Sequence, residues 1–387
     1  MKKIRKRIFL QDVLILALTT FGGPQVHLAM FIDKLVKKRA YLSEEELLEL
    51  QALCAILPGP TSTQTITALG YKIGGSLFAY LTLLVWISPA IFVMTLAAFG
   101  MTHLRNREII RFIQPVGIAM IIHSGIIMGQ KVIKSYDGVL IMIVSAVLTI
   151  VFESPWICPL VLLIGGIFSS FNYKDFEPQP KHKMIVPWAN LLLFVLVFVF
   201  FATLGHFTDY RPFRLFENFY RNGSLVFGGG QVLAPVLYTE FVEFKHLIKE
   251  DDFLTGMSLS QTLPGPVFAF TSYLGTLIMK GNGFWQQMLG SVAGAAIYLP
   301  GTFLIFFVYR IWGQLKQYRG IRASLMGINA ASIGLTLAGA FTFLIPIVQK
   351  ANYTSLVIIV VTFLILKTNK VTPFFLFLLA LIMGVLI

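Results

Sequence analysis

Six long apolar stretches alternate with short polar ones in the first part of the chain, at 9–36, 46–71, 74–101, 109–130, 138–152 and 155–171. The same rhythm returns at 216–241, 253–279, 284–309, 323–345, 352–366 and 371–387. A helix needs roughly 17–25 apolar residues to cross a bilayer core of about 30 Å, and most of these stretches supply them. The first two of each half are interrupted by Gly-rich or Pro-rich motifs, so each reads as one broken span or as a hairpin. A further apolar stretch, Trp188 to Leu204, stands alone between the halves, behind the polar run Asn172 to Lys183.

The halves are copies of one another. Phe21-Gly22-Gly23-Pro24-Gln25-Val26 returns as Phe227-Gly228-Gly229-Gly230-Gln231-Val232, and Leu57-Pro58-Gly59-Pro60 returns as Leu263-Pro264-Gly265-Pro266, both 206 positions later. Between the motifs the register holds without a gap: Val36 meets Val242, Glu44 meets Glu250, Leu48 meets Leu254 and Leu53 meets Leu259. The expected fold is therefore an all-α polytopic membrane protein. It has two inverted-topology repeats of six helical elements each, with broken or re-entrant helices, at 8–171 and 215–387. A linker and one spacer transmembrane helix at 172–214 join them. Inversion follows from parity. Two crossings or two hairpins leave the chain on the same side, so each half ends where it began and the single spacer turns the second half over.

Composition agrees. Hydrophobic residues make up 56% of the 387 and charged residues only 13%, too little charge to clothe a soluble surface. The net charge of +13 is read as Lys and Arg held in cytoplasmic loops. No basic stripe with interleaved aromatics speaks for nucleic acid. Placing the first two elements of each half as hairpins puts 21 of the 31 basic residues on the N-terminal side, against 19 for full crossings. That favours a cytoplasmic N-terminus in a bacterial inner membrane. Met1-Lys2-Lys3-Ile4-Arg5-Lys6-Arg7 resembles a signal-peptide start but lacks a small-residue cleavage site. It is read as a cytoplasmic tail leading into a membrane segment. Cys54 and Cys158 lack metal or redox spacing and read as small core residues.

Gly/Pro interruptions at corresponding positions of two halves point to a transport site. The prolines remove donors and break the helix, and the half-helix that follows begins with free N–H groups and a positive dipole end suited to an anion. The substrate-binding residues expected from this are Gly22, Gly23, Gln25, Pro58, Gly59, Pro60, Thr61, Ser62 and Thr63 in the first half. In the second they are Gly228, Gly229, Gly230, Gln231, Gln261, Pro264, Gly265 and Pro266. Further polar residues flank the breaks: Gln64 and Thr65, then Ser258, Ser260, Thr262, Thr271 and Ser272. Neutral donors suit an anion that must be released again. His27, His123 and Asn329, polar residues within apolar stretches, are candidates for a proton or substrate pathway. Asp33, Glu240 and Glu243 fall at segment ends and read as interfacial, while Glu44 to Glu46 and Asp251 and Asp252 read as first-turn helix acids. With no nucleotide loop, metal-ligand cluster or nucleophile motif in the sequence, no enzyme activity, metal or cofactor is expected.

At these motifs the sequence resembles the CHR family of chromate ion transporters in its long, two-domain form. Phe21-Gly22-Gly23-Pro24, Leu57-Pro58-Gly59-Pro60, Phe227-Gly228-Gly229-Gly230-Gln231 and Gln261-Thr262-Leu263-Pro264-Gly265-Pro266 carry the likeness, with Leu42-Ser43-Glu44-Glu45-Glu46 beside them. One departure is Ala55, where the family's first domain often has Gln. The resemblance implies secondary transport of chromate, usually efflux conferring resistance, with sulfate as a dianion of similar shape. A sulfate or other oxyanion permease is the alternative, and a passive anion channel is the alternative of another class. The expected partners are the oxyanion and the bilayer, with a homodimer allowed.

Overall fold

The computed structural model describes residues 3–20, 24–103, 111–152, 154, 156–172, 188–227, 230–315, 318–349, 351–368, 371 and 373–386. The first half folds as α1 (Lys3–Thr19), α2 (Pro24–Phe31) running into a π-helical segment (Ile32–Lys38), α3 (Glu44–Ile56) and α4 (Thr61–Gly74). It continues with α5 (Ser76–His103), α6 (Ile113–Val132), α7 (Tyr136–Val151) and α8 (Ile157–Phe171). The spacer is α9 (Trp188–Thr208). The second half repeats the series as α10 (Arg211–Leu225), α11 (Gly230–Tyr238) with its π-helical segment (Thr239–Phe244), and α12 (Glu250–Thr262). A 3₁₀ turn (Val267–Ala269) opens α13 (Phe270–Ile278). Next come α14 (Phe284–Ala295), a 3₁₀ turn (Ala296–Tyr298), α15 (Leu299–Leu315), α16 (Arg319–Gln349), α17 (Tyr353–Lys367) and α18 (Pro373–Leu386). Each of the first two apolar stretches in either half is thus two helices separated by its motif, as the breaks predict.

Five helical spans among the described residues are long and apolar enough to cross a bilayer: those of α5, α6, α9, α14 with α15, and α16. Leucine, valine and phenylalanine point outward along them, Leu84, Phe92 and Leu96 on α5 and Leu192, Leu196 and Phe200 on α9. Such a surface is stable against lipid and not against water. The chain is a multi-pass membrane protein.

Three pairs of left-handed residues repeat the duplication in the backbone itself. Ala40 (φ 49°) and His246 (φ 50°) end the two π-helical segments, Gly59 (φ 114°) and Gly265 (φ 101°) sit inside the two Pro-Gly-Pro breaks, and Gly75 (φ 82°) and Gly281 (φ 90°) follow α4 and α13. Each pair is 206 positions apart. Ala40 and His246 hold this conformation without glycine's freedom, which only a fixed local fold enforces. Beside them the bonds match as well: the Tyr41 amide donates to the Leu35 carbonyl and the Leu247 amide to the Phe241 carbonyl.

The helices gather into two compact units, each drawing on both halves of the chain. One contains residues 1–105, 187–224 and 259–310; the other contains 106–186, 225–258 and 311–387. In the second, α7 and α8 pack on α16 through glycines, Gly165 and Gly327 meeting so closely that a Cβ on Gly327 would strike the Gly165 carbonyl. Ser169 Oγ donates to the Ala323 carbonyl across this contact at 2.6 Å. Small residues let membrane helices approach and hydroxyls stitch them together. In the first, α13 meets α14 through Gly275 and Gly290 in the same manner. The first unit also holds both Pro-Gly-Pro breaks.

Candidate functional site

The helix α3 opens with three acids, Glu44 to Glu46, and Ser43 Oγ accepts from the Glu46 amide at 3.1 Å, so its positive end is compensated. The helix α4 is built the opposite way. Pro60 precedes it with no side-chain cap, no acid lies in its first turn, and residues Thr61 to Gly70 are all buried. Its first intrahelical bond runs from the Gln64 amide to the Pro60 carbonyl at 2.9 Å. The amides of Thr61, Ser62 and Thr63 therefore precede the helical ladder and project from an uncompensated positive end inside the protein. Broken backbone at membrane depth persists only where it is buried in protein or lines a cavity.

Side chains fix this turn in place. Gln64 Nε2 donates to the Pro58 carbonyl at 2.8 Å and to the Gly301 carbonyl at 3.2 Å, tying the break to α15. Trp86 Nε1, on α5, donates to Thr63 Oγ1 at 3.0 Å. Because Thr63 Oγ1 accepts that bond, its own proton is directed elsewhere. Thr65 Oγ1 bonds back to the Thr61 carbonyl, as hydroxyls within helices do.

The second break is assembled differently. The amide of Gly265 donates to the Thr20 carbonyl at the end of α1, 2.9 Å away. A 3₁₀ turn opens α13, and its first side chains are Val267, Phe268 and Ala269, all apolar and buried. The Thr271 hydroxyl is consumed by the Phe268 and Gly294 carbonyls. The pairing of polar residues expected at both breaks is thus realised only at the first, because the equivalents of Thr61, Ser62, Thr63 and Gln64 are Val267, Phe268, Ala269 and Phe270.

Each break leans on the long helix of the other half. A Cβ on Gly59 would lie 3.3 Å from Gly301 Cα of α15, and one on Gly265 would lie 2.8 Å from Ala90 Cβ of α5. Ala90 and Gly301 each follow a proline, Pro89 and Pro300, and stand 211 positions apart. Both long helices then reach the other break within about one turn, or roughly 6 Å of rise. On α5, Trp86 touches the first break's helix and Ala90 the second break. On α15 and the turn before it, Gly301 touches the first break and the Tyr298 ring lies 6.1 Å from that of Phe268 after the second. The two breaks converge.

Of the residues expected at the site, Pro58, Gly59, Pro60, Thr61, Ser62, Thr63, Gln261, Pro264, Gly265 and Pro266 all lie in this unit. Gly22, Gly23, Gly228 and Gly229 fall outside the described residues, as do the side chains of Gln25 and Gln231; Gly230 begins α11. His27, on α2, is 1% exposed and its ring packs edge-on against Trp86 with centroids 5.5 Å apart. His123 and Asn329 are half-buried in the other unit, His123 with its ring against Phe363. Glu240 is buried and paired with Lys245. Sequence reasoning missed three features. Trp86 reads as an ordinary core aromatic, and Ala90 and Gly301 show themselves only through the proline before each. The third is Asp12 of α1, 1% exposed, which binds Lys34 Nζ at 3.1 Å, Arg39 Nε at 2.8 Å and the Tyr41 hydroxyl at 3.0 Å. An acid within an apolar stretch was the available signal.

The sequence signature of the family described as chromate transporter matches residues 8–170 and 213–385. An uncharacterized transporter of Methanocaldococcus jannaschii is 23% identical over 382 residues, covering 96% of this chain and 92% of that protein. A probable chromate transport protein of Synechococcus elongatus is 26% identical over 332 residues, 84% of this chain and 80% of that one. A chromate transport protein of Cupriavidus metallidurans is 25% identical over 373 residues, 91% of this chain and 86% of that one. No solved structure matches the chain.

Proposed function

Because the chain belongs to the chromate transporter family, we propose that it carries chromate across the membrane and holds it at the start of α4. The observation that carries this reading is the buried first turn Thr61-Ser62-Thr63, whose free amides and hydroxyls face no acid of their own helix. Three amides and neutral hydroxyls offer an oxyanion many hydrogen bonds and a favourable dipole without a fixed counter-charge. An arginine clamp would bind more tightly and release more slowly. The convergence of both breaks gives the anion two half-helix ends at one place, the arrangement that repeat-built transporters use at the bilayer midplane.

The transport proposed is secondary and outward, across a bacterial inner membrane, and is driven by an ion gradient or the membrane potential. The N-terminus is assigned to the cytoplasm, supported by the 21 basic residues that hairpin placement collects there. The duplicated halves, 8–171 and 215–387 around the linker and spacer at 172–214, are taken to be inverted, so that access alternates as one set of elements rocks against the other. Sulfate is the second substrate this site favours, because backbone amides read tetrahedral shape and charge and not the central atom. The test is radiolabelled chromate flux in inside-out vesicles, with and without a proton gradient and with excess sulfate. Gradient-dependent accumulation that sulfate inhibits supports secondary export. Flux that follows the substrate gradient alone, without saturation or counterflow, makes the protein a channel. No flux above empty vesicles removes chromate as substrate.

A further inference from the structure

The first break is flanked by polar side chains that the fold itself leaves unused. His27 is 1% exposed, and neither ring nitrogen has a hydrogen-bond partner among the described residues. Thr67, one turn beyond Thr63 on α4, is fully buried, and its hydroxyl likewise has none. Burying an imidazole and a hydroxyl without partners costs free energy that the interior does not return, unless something binds there. The surroundings of His27 are aromatic, the rings of Phe31 and Trp86, and Trp86 is the residue whose N–H sets the Thr63 hydroxyl. That places the imidazole beside the acid-free start of α4. The duplication shows that this chemistry is a choice and not a requirement of the scaffold. The equivalents of His27, Thr63 and Trp86 in the second half are Leu233, Ala269 and Ile297, all buried and apolar.

We infer that the chain has a single oxyanion site, on the first-half side of its duplicated scaffold, with His27 as a side-chain ligand that donates a ring N–H to the bound anion. This rests on the oxyanion reading and adds the residue that gives the site its sidedness. A neutral imidazole supplies one donor and one acceptor, enough to hold an oxyanion oxygen without adding a fixed charge. The Trp86–Thr63 bond turns the threonine proton toward the same anion. The apolar second break completes the enclosure and contributes no ligand side chain.

The experiment uses the full chain in proteoliposomes and measures saturable sulfate and chromate flux for wild type, His27→Leu and His27→Gln. Leucine is the residue at the equivalent position 233, and glutamine restores an N–H donor. The expected result is a KM at least tenfold higher for His27→Leu with Vmax within twofold, and a KM within about threefold of wild type for His27→Gln. An unchanged KM in His27→Leu overturns the assignment, as does equal loss in both variants of correctly inserted protein, since a packing role would not be rescued by a donor. Should His27→Leu fail to insert, two results decide: the His27→Gln flux and sulfate titration of wild-type tryptophan emission against Trp86→Phe. A Trp86-dependent change that saturates at the transport KM supports the site, and no Trp86-dependent change overturns it. Failure of the oxyanion reading itself appears in wild type alone, as absence of flux for either anion.

Discussion

Gly265 gives its amide hydrogen to the carbonyl of Thr20, 2.9 Å away, so the second Pro-Gly-Pro break is fastened to the last turn of α1, just ahead of the first Gly motif. The two residues are 245 positions apart in the chain, and the bond joins a motif of one half to a motif of the other. Ala90 closes the same joint from α5.

Replacing Gly265 by alanine attacks this joint twice. The residue holds φ 101°, where a side chain costs about 1–3 kcal/mol, and its new Cβ would stand 2.8 Å from Ala90 Cβ. The expected outcome is lost flux and a lowered melting temperature with membrane insertion intact. Adding Ala90→Gly should recover the steric part and leave the dihedral cost. A double-mutant cycle on thermal stability measures the coupling.

At the first break the sensitive glycine is on the opposing helix. A Cβ on Gly301 would lie 2.6 Å from Gln64 Nε2 and 2.9 Å from the Pro58 carbonyl oxygen. Gly301→Ala should therefore act by displacing the Gln64 amide, and should reduce flux as Gln64→Ala does. Flux of the double variant should be no lower than that of the worse single one. Strict additivity would separate the two residues.

Thr63→Val keeps the shape of the first turn and removes the acceptor of the Trp86 N–H. A buried donor left without a partner costs about 1–3 kcal/mol, whereas Thr63→Ser retains the bond. Thermal unfolding should rank serine near wild type and valine below it. Valine in a Trp86→Phe background should lose most of that extra penalty, because the orphaned donor is gone.

Asp12→Asn tests the ionic cluster of α1. Exposed ion pairs contribute about 0–1 kcal/mol, and breaking a fully buried one costs about 3–5 kcal/mol. Here the carboxylate is buried while Lys34 and Arg39 are partly exposed, which places the expected loss at about 2 kcal/mol. Asparagine already stands at the equivalent position 218, so the change is sterically tolerated. Chemical denaturation at high salt should narrow the difference.

Inversion is read from exposed positions that are structurally equivalent. Ala40→Cys and His246→Cys occupy the same left-handed turn of the two halves, and both native cysteines are buried. An impermeant thiol reagent should label one from each side of the membrane. Labelling of both from the same side would exclude inverted repeats.

The elements of the fold that depend on local chemistry could be read directly from the sequence. Pro58-Gly59-Pro60 breaks a helix wherever it occurs, Ser43 followed by three acids opens one, and apolar length defines the spans. The partners of each break could not be read this way. Nothing local distinguishes Ala90 and Gly301 from other small residues on an apolar helix, and their importance arises from contact with a segment of the other half. The asymmetry of the site was hidden for a related reason. Duplicated motifs suggest duplicated ligands, but the residues just after the motifs, Thr61 to Gln64 against Val267 to Phe270, decide which copy carries the chemistry.

Each break is braced by the long helix of the other copy, Gly59 by Gly301 and Gly265 by Ala90. Neither copy is therefore a self-sufficient module. If the chain is severed in its spacer, the two products should regain transport only when made together in one cell, each serving as the other's template. The same bracing restricts how the copies drift apart. A change at one break must be answered on the opposite copy and not its own, so the halves of this gene are bound to be inherited as a pair.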